Sequence, residues 1–295
     1  MRVRLSGYLV FTYISLDVLS DPCWFTPHAI QQHRSLRFSP DTDASHDPTP
    51  FFNVIGSGAL TRLHTLEIGC ISATQEAVVL GDANLLSNSL PSLRKLSIDA
   101  PMSADLLGGI FAAAGLGLTD IAISNCQSVS VAVRLLVEND YAWNPALQAL
   151  SLGWKVGCWE DGPPPVDPNT FLQAALARLP ALETLVLEPR NLEELLVRLL
   201  ALAEGGGLPD LNTLDIRTHR PGLTVGVVLL LLLWLKREAK KALRGEGGRA
   251  LWDVRGLHLD QVHASMKQII ETHLAQLEEA RTQIHKARAA GGRVV

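Results

Sequence analysis

Eight short stretches of this chain share one spacing: an apolar residue, a second three positions on, and a third two further on. They are His33-Leu36-Phe38, Leu63-Leu66-Ile68, Leu93-Leu96-Ile98, Leu118-Ile121-Ile123, Leu147-Leu150-Leu152, Leu182-Leu185-Leu187, Leu211-Leu214-Ile216 and Val254-Leu257-Leu259, the first with a histidine at its leading position. From first position to first position the steps are 30, 30, 25, 29, 35, 29 and 43 residues. A unit of that length has room for one short strand, one helix and two turns, and it cannot bury its apolar side alone, so neighbouring units must stack. The spacing predicts an α/β fold: a right-handed solenoid of about eight repeats, with a parallel sheet on the concave side and helices on the convex side. Residues 33–260 are its array, 1–32 a divergent segment or opening repeat, and 261–295 a C-terminal helix.

Within each stretch the second and third apolar residues lie two apart and point to one face of a strand, which must be the core face. The residues between and beside them point the other way. Those expected on the open, concave face are Thr65, Glu67, Lys95, Ser97, Asp99, Asp120, Ser151, Thr184, Glu188, Thr213, Asp215, Arg217, His258 and Asp260, a small, polar and slightly acidic set.

Between the stretches the pattern changes to helical periodicity. Ser103 precedes Leu106, Leu107, Ile110 and Phe111 and suits an N-cap. Asp167 followed by Pro168 is a cap with proline at the first helical position, where its missing amide costs nothing, ahead of Phe171, Leu172, Ala175 and Leu179. Asn191 with Glu194 three residues on reads as a capping-box variant. Ser128 to Val137 and Gln75 to Leu86 fill the same slot less clearly. Residues 39–50 and 160–168 are polar and proline-rich insertions that belong outside the stack.

Two apolar stretches bear on membranes. Residues 5–16 follow Arg2 and Arg4, but no small-residue cleavage site follows, and Leu5-x-x-Tyr8-x-Val10 repeats the strand spacing, so an imperfect opening repeat is preferred to a signal peptide. Leu223 to Leu235 is uncharged, but its 13 residues fall short of the roughly 20 that a bilayer span needs. It sits in a helix slot and is expected to be a buried helix, with an exposed extension from Lys236 to Leu243 ended by residues 244–249. From Gln261 to Ala290 runs an amphipathic helix with Val262, Met266, Ile269, Ile270, His273, Leu277, Ala280 and Ile284 on one side. A solenoid has an open apolar end, so this helix is read as a cap over the apolar one, with a dimerising coiled coil as the alternative.

The net charge of -4 gives no reason to expect nucleic acid as a partner. Four dispersed cysteines, Cys23, Cys70, Cys126 and Cys158, form no disulfide framework and fit a reducing, cytoplasmic or nuclear home.

The phrases LPSLRKLSID, NPALQALSLG, LPALETLVLE and LPDLNTLDIR resemble the leucine-rich-repeat family, in particular the irregular repeats of fungal F-box/leucine-rich-repeat proteins, over residues 33–260. That resemblance implies a horseshoe whose concave strands bind a protein, and a partner on a cullin-type ubiquitin-ligase scaffold. The turn asparagine or cysteine of the family is met by Cys126 but by few other repeats, and no F-box-like segment is apparent ahead of the array.

Catalytic patterns are sparse. His258, Asp260 and His263 could suggest a metal, but at a strand-to-helix junction they read as solvated or capping residues. Gly56-Ser57-Gly58 lacks the lysine of a nucleotide loop and reads as a turn. Cys70, Cys126 and Cys158 follow strands without a neighbouring base. The chain is therefore expected to be a non-enzymatic protein-binding scaffold without cofactor or metal. A ubiquitin-ligase substrate adaptor is the alternative, and a metal-dependent hydrolase a distant one.

Overall fold

The structure is a computed structural model that describes residues 13–14, 34–38, 55–56, 58, 60–69, 88–153, 168–188, 192–217, 225–244, 252–256 and 264–289. Two compact units divide between Phe171 and Leu172. The first holds strands β1 (Tyr13–Ile14), β2 (Ser35–Phe38), β3 (Thr65–Ile68), β4 (Lys95–Ile98), β5 (Asp120–Ile123) and β6 (Ala149–Gly153), with helices α1 (Ala104–Ala113) and α2 (Cys126–Glu138). Its strands lie in chain order, each parallel to the next, with the repeats in register: Leu36, Leu66, Leu96, Ile121 and Leu150 form one row, and Phe38, Ile68, Ile98, Ile123 and Leu152 another. The second unit holds β7 (Thr184–Glu188), β8 (Thr213–Ile216) and β9 (Asp253–Arg255), again parallel, with α4 (Leu192–Glu204), α5 (Val225–Leu243) and α6 (Ala264–Ala289). The division falls inside α3 (Pro168–Ala177).

Two backbone devices recur ahead of the strands. A leucine three residues before the first apolar position closes a turn onto it: Leu63, Leu93, Leu182 and Leu211 donate their amides to the carbonyls of Leu60, Leu90, Leu179 and Leu208. All eight leucines are buried, so the turn is held by its own side chains. At five junctions one carbonyl just ahead of a strand accepts two successive amides of the next repeat. Arg34 receives His64 and Thr65, His64 receives Arg94 and Lys95, Arg94 receives Thr119 and Asp120, Thr119 receives Gln148 and Ala149, and in the second unit Glu183 receives Asn212 and Thr213. Repeat length can therefore vary, because every unit is re-registered at this point.

The helices follow their caps. Ser103 accepts from the Leu106 amide and starts α1 as expected. Helix α2 starts two residues before the expected Ser128, because Asn125 is its cap and accepts from Gln127 and Ser128; Cys126 is thus the first helical residue rather than a turn residue. Ser128 is instead a buried strut, donating to the Ala100 carbonyl at 2.7 Å and accepting from the Met102 amide at 3.0 Å. Trp143 fills the loop before β6, its indole donating to the Phe111 carbonyl at 3.0 Å while its ring stacks on Tyr141. Pro168 is the first residue of α3; Asp167, Asn191 and residues 75–86 lie outside the described residues.

Two registers differ from the sequence-based expectation. The opening strand exists, but Tyr13 and Ile14 pair with Arg37 and Phe38, so the opening repeat is in phase four residues later than Tyr8 and Val10 would put it. At the other end Val254 pairs with Leu214, which makes it the second core position and not the first; the step there is 40 residues, from 214 to 254, and not 43. The third core position falls on Gly256, whose φ of +72° and close approach to the Ile216 carbonyl leave no room for a side chain, and a missing leucine hid the register.

Helix α6 packs on α5. Lys236 meets His273 and Gln276, while Ala239 and Ala242 cluster with Ile284, flanked by Leu243 and Ala280, so residue numbers rise together and the two helices run parallel. The stretch from Lys236 to Leu243 is therefore not an exposed extension: Glu238, Ala239 and Ala242 are buried. In α6 the buried stripe is Ile270, Leu277 and Ile284, seven apart, whereas Ile269 is exposed. Among the described residues, no helix is long and apolar enough to cross a membrane.

Candidate functional site

Alternation within the strands leaves one face of each sheet free of core residues, and its composition is set by the side chains between the buried ones. In the first unit one row runs Ser35, Thr65, Lys95, Asp120, Ala149 and the next runs Arg37, Glu67, Ser97, Ala122, Ser151. No large apolar side chain stands in either. Arg37 Nε lies 3.9 Å from Glu67, Ser124 donates to Asp99 at 2.6 Å, and Thr119 donates to Asp120 at 2.7 Å. Lys95 is exposed, and the others are half-buried between their neighbours.

In the second unit the rows are Thr184, Thr213, Asp253 and Val186, Asp215, Arg255. Arg217 bridges Asp215 at 3.0 Å and Glu188 at 3.7 Å. Arg255 is hydrogen-bonded to Asp253 through Nε at 2.6 Å, and Arg281 of α6 reaches Asp253 at 3.4 Å and Glu278 at 3.0 Å. The hydrogen bond that Arg255 donates to Asp253, then the charge of Asp253 and those of Asp215 and Glu278, push the Arg255 guanidinium up from its ordinary range. The result is a ladder of alternating charges on a strand face.

Of the residues expected on the open face, Thr65, Glu67, Lys95, Ser97, Asp99, Asp120 and Ser151 lie on it or at its edge in the first unit, and Thr184, Glu188, Thr213, Asp215 and Arg217 in the second. His258, Asp260 and His263 lie outside the described residues, and the pairing of the last strand puts Arg255 in the place expected for His258. Arg37 was also missed, although its place between Leu36 and Phe38 marks it by the same alternation. Gly58 is in a turn with φ of +72°, as the glycine-serine-glycine stretch suggested.

Between β9 and α6 lies a cavity of about 290 Å³, lined by Trp252, Val254, Leu274 and Leu277 with Asp253, Glu278 and Arg281. The three charged groups engage one another, so its polar side is already satisfied. Among the described residues no group of three or more His, Cys, Asp or Glu could hold a metal ion. No protein-family model matches the chain, and no curated protein does so either.

Proposed function

We propose that this chain is a non-enzymatic protein-binding scaffold of the leucine-rich-repeat class, and that the open faces of its sheets carry the partner. The observation behind this reading is the registered array of small and charged side chains on those faces. Successive strands present Glu67, Ser97, Ala122 and Ser151 side by side in one unit, and Glu188, Asp215 and Arg217 in the other. Small residues let a partner approach the backbone, and fixed charges select it by complementarity more than by raw affinity. A cytoplasmic or nuclear home goes with this reading. The ligase-adaptor variant would require either a scaffold-docking helix near residues 9–30, where the described part is strand β1, or an F-box outside this sequence.

Photo-crosslinking side chains placed at Ser97, Ser151 and Thr184 should capture a protein partner that the same probe at Gln127, exposed on α2, does not. Binding of that partner should then fall at least tenfold when Glu67, Asp99, Glu188 and Asp215 are changed to lysine together. Equal capture from Gln127, or unchanged binding after all four reversals, would dismiss the open faces as the site.

A further inference from the structure

Helix α5 turns one stripe outward along its whole length. Its exposed residues follow at steps of four and three: Gly226, Leu230, Leu233, Arg237 and Lys240. The first half of the stripe is apolar, with Leu230 56% and Leu233 52% exposed. Ile269 of α6, 42% exposed, stands at the same level, because Lys236 contacts His273 and each of Leu233 and Ile269 lies about one turn earlier on parallel helices. Three of the five exposed large apolar side chains of the described residues thus lie on these two helices.

The second half of the stripe is cationic, and its cations are treated differently from their neighbours. Lys236 is bound to His273 and Gln276, and Lys241 to Glu238. The side chains of Arg237 and Lys240, on the outward stripe, make no hydrogen bond or ion pair among the described residues. In a chain of net charge -4 this is a local reversal of sign placed beside exposed leucines. A solvated surface helix would carry polar residues at positions 230 and 233.

We infer that this stripe docks on the surface of an anionic lipid bilayer, with Leu230, Leu233 and Ile269 entering the interface and Arg237 and Lys240 resting on acidic headgroups. The combination is the one an interfacial helix presents, an apolar patch adjoining cations. A bilayer also matches the shape of the site, since the stripe is the outer surface of a helix and a bilayer needs no groove to receive it.

The test is flotation of the full chain with vesicles of phosphatidylcholine alone and of phosphatidylcholine with about 30% phosphatidylserine, at about 0.1 M and 0.5 M salt. Binding is expected with the anionic vesicles only, and weaker at the higher salt. One cation near such a surface is worth about fivefold in binding, so Arg237→Gln with Lys240→Gln should weaken it about 25-fold. Leu230→Ser with Leu233→Ser should abolish it. All four residues are exposed, so melting curves of the variants should match the parent. Absence of binding to anionic vesicles at about 0.1 M salt, or binding that the substitutions leave unchanged, overturns the inference. So does a wild-type dimer that the two serine substitutions convert to monomer without any vesicle binding, since the face would then belong to a second copy, and so does capture of an acidic protein by the stripe in place of vesicles.

Discussion

Replacing Ser128 with alanine should destabilise the first unit more than any other hydroxyl deletion on its surface or in its sheet. Ser128 is fully buried, and its one hydroxyl serves two backbone groups of the preceding repeat, the Ala100 carbonyl and the Met102 amide, in residues that are themselves buried. Alanine fits the space but leaves both groups without that partner. An orphaned buried donor or acceptor costs about 1–3 kcal/mol, so the two together predict a loss of about 2–6 kcal/mol. For a unit of this size, each kcal/mol moves the melting midpoint by about 2–4 °C, giving a fall of about 4–24 °C. The assay is urea or thermal unfolding followed by far-UV circular dichroism, with Ser97→Ala as the control. Ser97 is on the open face, and its loss should cost no more than about 0.5 kcal/mol. Equal effects of the two substitutions would refute the strut.

The strand register predicts opposite results at adjacent positions: Leu185→Asp buries an unpaired carboxylate and should cost more than about 3 kcal/mol in a denaturant titration, whereas Thr184→Asp should stay within about 0.5 kcal/mol. Gly256→Ala should cost about 1–2 kcal/mol from its left-handed backbone alone, and more from the contact with the Ile216 carbonyl, read as a lower denaturation midpoint of the second unit. His273 should titrate below its ordinary 6.5, first because burial disfavours its charged form and second because Lys236 stands 3.0 Å away. The unfolded chain then takes up the proton first, so the stability from this site is whole above pH 6.5 and is lost as the pH falls through the lowered folded value. Proton NMR of the imidazole should show the midpoint rising in Lys236→Met; an unmoved midpoint would remove the lysine from the explanation.

The sequence alone determined the α/β alternation and the strand registers of the central repeats. A strand with one buried face must alternate, and a leucine repeated every 30 residues or so leaves one phase in which all the leucines share that face. The open-face residues from Thr65 to Arg217 follow from the same rule, since a residue's side of a strand is a property of its parity. Parity failed where the apolar code lapsed. Gly256 stands at a core position because the backbone turns left-handed there, and no spacing of leucines announces it.

Tertiary structure decided what periodicity cannot express. The hydroxyl of Ser128 bonds two groups 26 and 28 residues away, and its role depends on where a neighbouring loop happens to pass. The fate of α5 is the same kind of question. Its sequence is apolar on every side over its first half, and only its packing against α4 and α6 chose which leucines are covered, burying Leu231, Leu232 and Leu235 in the unit and leaving Leu230 and Leu233 outside beside Arg237 and Lys240. A helix's own period shows which residues share a face, but which face is buried is fixed by the neighbours that pack against it.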